Sequence, residues 1–187
     1  MIAYRAWVPN ALSISRVPAA LAFLVVYSSD DKVLYFSALG IAFIALLTDI
    51  IDGPLARRWH VASERGYFLD GLGDKAFYIA VLVTMIREQA TSSILAWVLI
   101  TREVVLYALR TLDQSRAQNL KSLRFYSKAY ALFIRLYFGC FLFSDAYGLY
   151  HRTPPAILVY GDAWGYIAAA LGAYSIFLLG RDIAEKM

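Results

Sequence analysis

The sequence has little of what a soluble protein usually carries: one cysteine, two histidines, and charged residues at only 17%. A single cysteine, Cys140, excludes an intrachain disulfide and a cysteine-rich zinc site. The histidines, His60 and His151, are solitary in predicted loops, where a solvated histidine is commoner than a metal ligand. Hydrophobic residues make up 60% and the mean hydropathy is +0.56. This composition excludes an ordinary soluble domain and indicates a lipid environment.

Long apolar runs without alternation set the expected fold class. A bilayer core about 30 Å thick needs about 20 apolar residues per helix, and the runs are too long and unalternating for barrel strands. We therefore expect one all-α integral membrane domain over residues 1–187, a six-transmembrane-helix bundle preceded by a short interfacial segment at 1–8. No small-residue cleavage pattern follows the first run, so a retained helix is expected. The predicted spans are 9–28, 33–55, 66–86, 92–112, 128–147 and 155–179.

The net charge of +4 is distributed unevenly between the two ends of these spans. With the N-terminus in the cytoplasm, only Lys32, Arg87 and Arg152 among the basic residues outside the spans fall on the far side. The positive-inside rule then predicts cytoplasmic N- and C-termini. Topology alone explains the basic excess, so no nucleic-acid partner is expected, and basic residues of the 113–127 connection would contact membrane lipid heads.

Four carboxylates lie at the inner ends of the second and third predicted helices. Asp49 and Asp52 are three residues apart, and Asp70 and Asp74 are four apart, so each pair shares one helical face. An ionised aspartate in a span costs a few kcal/mol, and four together repel one another. Pairing with nearby basic residues is the structural alternative. Hard carboxylate oxygens favour Mg²⁺ or Mn²⁺, and two ions about 3.5–4 Å apart are a recurrent solution for phosphoryl chemistry. The sequence thus predicts a polar, metal-containing cavity at the cytoplasmic side.

The spacing around these acids resembles the signature of the CDP-alcohol phosphotransferase family, D-x2-D-G-x2-A-R-x8-G-x3-D-x3-D. The matching residues are Asp49, Asp52, Gly53, Ala56, Arg57, Gly66, Asp70 and Asp74. The resemblance covers nearly the whole chain. It implies a metal-dependent enzyme that forms a homodimer. The reaction implied moves a phosphatidyl group from CDP-diacylglycerol to a small alcohol and releases CMP.

The resemblance also implies a role for each acid. Asp49, Asp52 and Asp70 would bind metal and the nucleotide diphosphate, while Asp74 would touch a metal and act as the base that takes the acceptor hydroxyl proton. The CDP-lipid site that the resemblance implies consists of Asn10, Ser13, Arg16, Asp52, Gly53, Ala56, Arg57, Ser63 and Gly66.

The first predicted span opens Pro9-Asn10-Ala11-Leu12-Ser13-Ile14-Ser15-Arg16, which is similar to the family's P-N-x-x-T/S-x-x-R entry. Its polar residues fall at three-residue steps on one broad face. Arg16 lies about 9 Å beyond Asn10 along a helix. An arginine at that depth needs an anionic partner, either one of the acids or the lipid diphosphate.

Glycines beside the acids have two expected purposes. Gly53 and Gly66 remove side-chain bulk, so that a diphosphate or a planar base can approach the backbone. Gly71 and Gly73 are expected to be packing positions, because small residues are common where transmembrane helices meet.

The fourth predicted helix carries Ile100-Thr101-Arg102-Glu103 followed by Arg110, similar to the I-x-R-E-x6-R stretch of phosphatidylglycerophosphate synthases. Two guanidinium groups suit an acceptor phosphate, although a structural pair of Arg102 with Glu103 or with an aspartate is the alternative. The fifth helix adds Lys128 and Arg135, seven residues apart on one face. We expect these four basic residues to form one recess that binds the phosphate of the acceptor.

One stretch departs from the pattern of those synthases and bears on the acceptor. Where they usually have Gly-Lys-x-Lys-Thr, this chain reads Ser127-Lys128-Ala129-Tyr130. The expected acceptor is a phosphorylated polyol, above all sn-glycerol 3-phosphate, with phosphatidylinositol-phosphate, cardiolipin or phosphatidylserine synthesis as alternatives. A cation transporter or channel is a remote alternative, because the acids cluster at one membrane side and no inverted repeat is seen.

Overall fold

The structure is a computed structural model, and it describes residues 2–28, 30–59, 64–112, 121–150 and 161–184. Within these ranges the side chains at 2–10, 46, 49–57, 64–67, 70, 109–112, 121–124 and 183–184 are outside the description. The described residues form six α-helices, as the sequence predicts. They are α1 (Ile2–Val26), α2 (Lys32–Arg58), α3 (Glu64–Arg87), α4 (Ser93–Leu112), α5 (Lys121–Gly148) and α6 (Gly161–Ala184).

Some helices start at other residues than predicted, where the predicted start was placed at a proline or at the end of a polar stretch. Helix α1 begins at Ile2 and continues through Pro9, earlier than the predicted start at 9, because proline removes only one backbone hydrogen bond there. The interfacial position of residues 1–8 stays a prediction. Helix α5 begins at Lys121, ahead of the predicted 128. The prediction started too late because the first turns of this helix are polar and carry no hydropathy signal. The described part of helix α6 begins at Gly161, with Asp162 in a first turn that favours a carboxylate; the predicted start at 155 lies outside the described residues.

The chain divides into two compact units, residues 1–84 and 85–187. In the first unit α1 packs along α2. Their connected ends share an aromatic cluster in which the rings of Phe23 and Tyr27 lie 5.4 Å apart and those of Tyr27 and Tyr35 lie 5.6 Å apart. Asp31 caps α2 by accepting hydrogen bonds from the backbone N–H groups of the first turn, at 2.8 and 3.0 Å. Buried aromatic rings and this cap hold the α1–α2 hairpin together.

In the second unit α6 packs against both α5 and α4. Its contact face is made of small residues at helical spacing, all of them buried: Gly161, Gly165, Ala168, Gly172 and Ser175. A Cβ placed on Gly165 would lie 2.9 Å from the ring of Tyr137 on α5 and 3.1 Å from Leu95 on α4. Small residues therefore let three helix backbones approach closely, as is usual for packing within a membrane.

Helices α5 and α6 contain the segments Phe125–Gly148 and Gly161–Asp182, which are long and apolar enough to cross a membrane by length and composition. Only 22% and 28% of these two segments is buried, and both expose large apolar side chains, among them Phe125, Phe143 and Phe177. Within the described residues, the apolar parts Ala11–Val26 and Lys32–Ala45 are shorter. The six helices are thus confirmed, and six membrane crossings remain a prediction.

Candidate functional site

The four aspartates of the predicted metal site lie on two helices. Asp49 and Asp52 belong to the last turns of α2, and Asp70 and Asp74 to the first half of α3. A helical backbone at both places keeps each pair on one face, and carboxylates so spaced fit a hard divalent cation. The side chains of Asp49, Asp52 and Asp70 lie outside the described residues. Among the side chains that are described, no group of three or more potential metal ligands occurs.

Arg16 and Asp74 form an ion pair that joins α1 to α3. Arg16 is 2% exposed, and its Nη1 donates to Oδ1 of Asp74, whose side chain is 46% exposed. Nη2 of Arg16 also lies 3.4 Å from the hydroxyl oxygen of Ser13. Of the two anionic partners expected for Arg16, the structure therefore identifies a protein carboxylate. The half-exposed carboxylate of Asp74 remains accessible to a small molecule.

Gly73 accounts for this close approach of α1 and α3. A Cβ built on Gly73 would lie 2.5 Å from the backbone oxygen of Ser13 and 3.3 Å from Cβ of Arg16. No side chain fits in that space without moving a helix backbone. The packing role expected for Gly73 is therefore confirmed, and the contact brings the adjacent Asp74 against Arg16.

Arg102 lies buried in the second unit, at 5% exposure. Its Nη1 donates to the carboxylate of Glu103, the neighbour along α4. The guanidinium carbon stands 3.5 Å from the centre of the Tyr130 ring on α5, which is cation–π geometry. The structural pair considered for Arg102 is thus present, but it uses only one of the three guanidinium nitrogens.

The other two nitrogens of Arg102, Nε and Nη2, are buried and meet no hydrogen-bond acceptor within the described part of the chain. Their N–H groups point from the same edge of the planar guanidinium, the edge that binds phosphate or carboxylate oxygens in pairs. Buried donors are rarely left unsatisfied in proteins. Glu103 therefore satisfies one side of the guanidinium, and the Nε and Nη2 edge has no acceptor among the described residues.

Sequence reasoning missed two residues that surround Arg102. Tyr130 is 2% exposed beneath the guanidinium, and Gly172 of α6 lies beside the arginine stem, where an added Cβ would stand 3.0 Å from Cγ of Arg102. The seven-residue spacing of Gly165 and Gly172 was the available signal, since it marks a close-packed helix face.

Lys128 and Arg135 are both exposed on α5. At about 100° per residue they lie on the side of α5 roughly opposite Tyr130, so the described residues do not bring them to Arg102. Arg135 falls inside the predicted span 128–147, where burial is expected, but its side chain is exposed. The side chains of Asn10, Gly53, Ala56, Arg57, Gly66 and Arg110, and the whole of Ser63, lie outside the described residues.

A cavity of about 240 Å³ opens elsewhere in the second unit. Its polar lining includes Gln89, Ser144 and Asp162, together with Tyr137, whose hydroxyl lies 3.4 Å from Oδ1 of Asp162. None of the described residues predicted for metal, CDP-lipid or acceptor binding lines it. The cavity therefore carries no part of the candidate site.

Comparison with known proteins gives one family and several relatives. The sequence pattern of the family described as CDP-alcohol phosphatidyltransferase matches residues 6–177. Three relatives bear the name CDP-diacylglycerol–glycerol-3-phosphate 3-phosphatidyltransferase. The Haemophilus influenzae protein is 36% identical over 105 residues, the Pseudomonas fluorescens protein 32% over 105, and the Escherichia coli K12 protein 33% over 106.

The alignments with these relatives are partial. They cover 55% of this chain and 57%, 54% and 58% of the three relatives, in the order given. The chain thus matches little more than half the length of these curated relatives, whereas the family pattern extends over nearly all of it.

Proposed function

The chain belongs to the CDP-alcohol phosphatidyltransferase family, and from this premise we propose that it transfers a phosphatidyl group from CDP-diacylglycerol to a phosphorylated alcohol. The preferred acceptor is sn-glycerol 3-phosphate, and the products are a phosphatidyl-polyol phosphate and CMP. The names of the relatives support this acceptor. The observation that carries the proposal is the Arg16–Asp74 ion pair, because it joins the entry motif of α1 to the last acid of the signature.

Asp74 is the general base of the proposed reaction. Its half-exposed carboxylate accepts the proton of the acceptor hydroxyl, whose oxygen attacks the lipid-side phosphorus of CDP-diacylglycerol. The new phosphorus–oxygen bond forms as the bond to CMP breaks, and CMP leaves as the anion. Arg16 binds one oxygen of the Asp74 carboxylate and fixes its position, which leaves the second oxygen to face the acceptor.

Asp49, Asp52 and Asp70, with Asp74, would hold one or two divalent cations, Mg²⁺ or Mn²⁺. Such cations neutralise charge on the diphosphate and on the departing phosphate. The helical spacing of the four carboxylates supports this assignment. The CDP-lipid is bound by residues of α1 and of the α2–α3 region, namely Asn10, Ser13, Arg16, Asp52, Gly53, Ala56, Arg57, Ser63 and Gly66.

Arg102 recognises the phosphate of the acceptor in this proposal. Its Nε and Nη2 edge offers two parallel hydrogen bonds to a phosphate monoester, and charge-assisted bonds of this kind contribute about 1.5–3 kcal/mol each. An unphosphorylated polyol gains little from the same edge. Arg110, Lys128 and Arg135 are proposed to add to the positive potential that attracts the phosphate.

The protein is proposed to cross the membrane six times, with both termini and the active site facing the cytoplasm, and to form a homodimer. The apolar spans of α5 and α6 and the family membership support a membrane location. The uneven distribution of basic residues supports the orientation.

A different acceptor within the same family is the second candidate function. It is favoured by Ser127-Lys128-Ala129-Tyr130, which departs from the Gly-Lys-x-Lys-Thr stretch. This departure concerns α5 alone and leaves the acidic signature intact. It therefore bears on which alcohol is used and not on the reaction type.

The deciding experiment incubates the purified protein in detergent with CDP-diacylglycerol and Mg²⁺ and a panel of acceptors. The panel contains sn-glycerol 3-phosphate, glycerol, inositol, inositol 1-phosphate, phosphatidylglycerol and serine. CMP release and the lipid product are measured for each. We expect release to need both acceptor and metal and to be fastest with glycerol 3-phosphate. Release that needs neither would contradict the reaction, and a preference for unphosphorylated alcohols would contradict the acceptor.

A further inference from the structure

We infer that Tyr130 and Gly172 are positioning residues for the acceptor, because together they fix the plane and depth of the Arg102 guanidinium. This inference rests on the proposed function, in which Arg102 binds the acceptor phosphate. It adds two residues on α5 and α6 that touch neither substrate and act through Arg102. The acceptor-binding edge is then built by three helices of one unit rather than by α4 alone.

Tyr130 sets the plane of the guanidinium. The guanidinium carbon stands 3.5 Å from the ring centre, so the flat group lies over the ring face instead of rotating freely about its stem. The ring itself is 2% exposed and held within the packing of α5. Glu103 binds Nη1, and the Tyr130 ring lies against the face of the guanidinium. These two contacts together fix the orientation of the Nε and Nη2 edge.

Gly172 sets the depth at which the arginine stem lies. A Cβ added there would stand 3.0 Å from Cγ of Arg102, 3.5 Å from its Cδ and 3.4 Å from the Tyr130 ring. An alanine would therefore press on the arginine stem, which would have to shift by a few tenths of an ångström, and would touch the Tyr130 ring. Glycine at this position lets Arg102 lie flat between α5 and α6.

A guanidinium held in this way loses less conformational freedom when it binds phosphate. Affinity gained through prior ordering depends on the supporting contacts as well as on the arginine. Losing the support should therefore weaken acceptor binding selectively. The CDP-lipid does not use this arginine in the proposed site, so its binding should not change.

The test measures KM for sn-glycerol 3-phosphate and for CDP-diacylglycerol, and kcat, in the full-length protein. Binding of glycerol 3-phosphate is measured separately by calorimetric titration. Tyr130→Leu should raise the acceptor KM and Kd by about five- to tenfold, the range expected for a buried cation–π contact. Tyr130→Phe keeps the ring face and should remain within about twofold of the wild type. Gly172→Ala should shift the acceptor constants in the same direction as Tyr130→Leu.

Two matched controls separate positioning from general packing. Phe141→Leu removes another buried ring from the same face of α5, about three helical turns from Tyr130. Gly180→Ala adds a methyl group to α6 where nothing lies within 4 Å. Both should leave the acceptor KM at the wild-type value.

The decisive comparison is a double-mutant cycle. If Tyr130 acts through Arg102, the Tyr130→Leu change should have no further effect on acceptor binding once Arg102→Ala is present. Losses that multiply in the double variant would overturn the inference, as would equal rises in both KM values. A failure of the proposed function looks different: the wild type would then show no titratable binding of glycerol 3-phosphate, and the inference would fall with it.

Discussion

Gly73→Ala is expected to inactivate the protein although alanine is the better helix former. In an exposed helix the change stabilises by about 0.5–1 kcal/mol. At Gly73 the new methyl carbon would stand 2.5 Å from the backbone oxygen of Ser13. Even close C–H···O contacts have carbon–oxygen distances of about 3.3–3.6 Å. Helices α1 and α3 must therefore separate by about 1 Å.

Two consequences follow from a separation of this size. Overpacking typically costs about 1–3 kcal/mol, which outweighs the gain in helix propensity. Asp74 follows Gly73 directly, so the same shift moves its carboxylate away from Arg16. A misplacement of about 1 Å in a catalytic group can reduce turnover by about 10²-fold. We expect a net destabilisation of about 1–2 kcal/mol and a much larger relative loss of activity.

The assay compares thermal unfolding in detergent with the rate of CMP release. Gly40→Ala on α2 is the matched control, because it lies in the same unit and a Cβ there would meet nothing within 4 Å. This control should keep wild-type activity and unfold at the same temperature or higher. A Gly73→Ala protein with wild-type stability and turnover would refute the close contact and its role in placing Asp74.

Three further predictions concern the acids and the acceptor. Removing divalent cations with EDTA should abolish CMP release, and Mg²⁺ or Mn²⁺ should restore it. Asp70→Asn should stay inactive in saturating metal because an amide is a poorer cation ligand. Undiminished turnover by that variant would contradict the ligand assignment. Asp74→Asn keeps an oxygen that can accept a hydrogen bond from Arg16, so CDP-lipid binding should persist while the rate of the chemical step collapses. Equal losses of binding and of turnover would make Asp74 chiefly a metal ligand. Arg110→Ala should raise the acceptor KM about tenfold, equivalent to about 1.4 kcal/mol, with little change for the CDP-lipid; equal weakening for both substrates would assign Arg110 to lipid-head contacts.

Much of the fold could be predicted because it depends on local sequence. Apolar runs longer than about 18 residues predict helices in lipid whatever surrounds them, and each of the six runs contains a helix within the described residues. The acidic signature was readable for the same reason, since a spacing of three or four residues places side chains on one face of any helix. Helix ends were less predictable: the polar first turns of α5 leave no hydropathy signal, and Pro9 did not interrupt α1.

The pairing of helix faces was decided by tertiary structure. Helices α2, α3 and α6 carry apolar residues nearly all round, so hydropathy does not distinguish the side that meets protein from the side that meets lipid. Arg16 was predicted to need an anion, but its pairing with Asp74, 58 residues away, depends on the fit of Gly73 against α1. Likewise the sequence marked Arg102 as a candidate, whereas the packing of α4, α5 and α6 put Tyr130 and Gly172 against it and turned Lys128 and Arg135 outward.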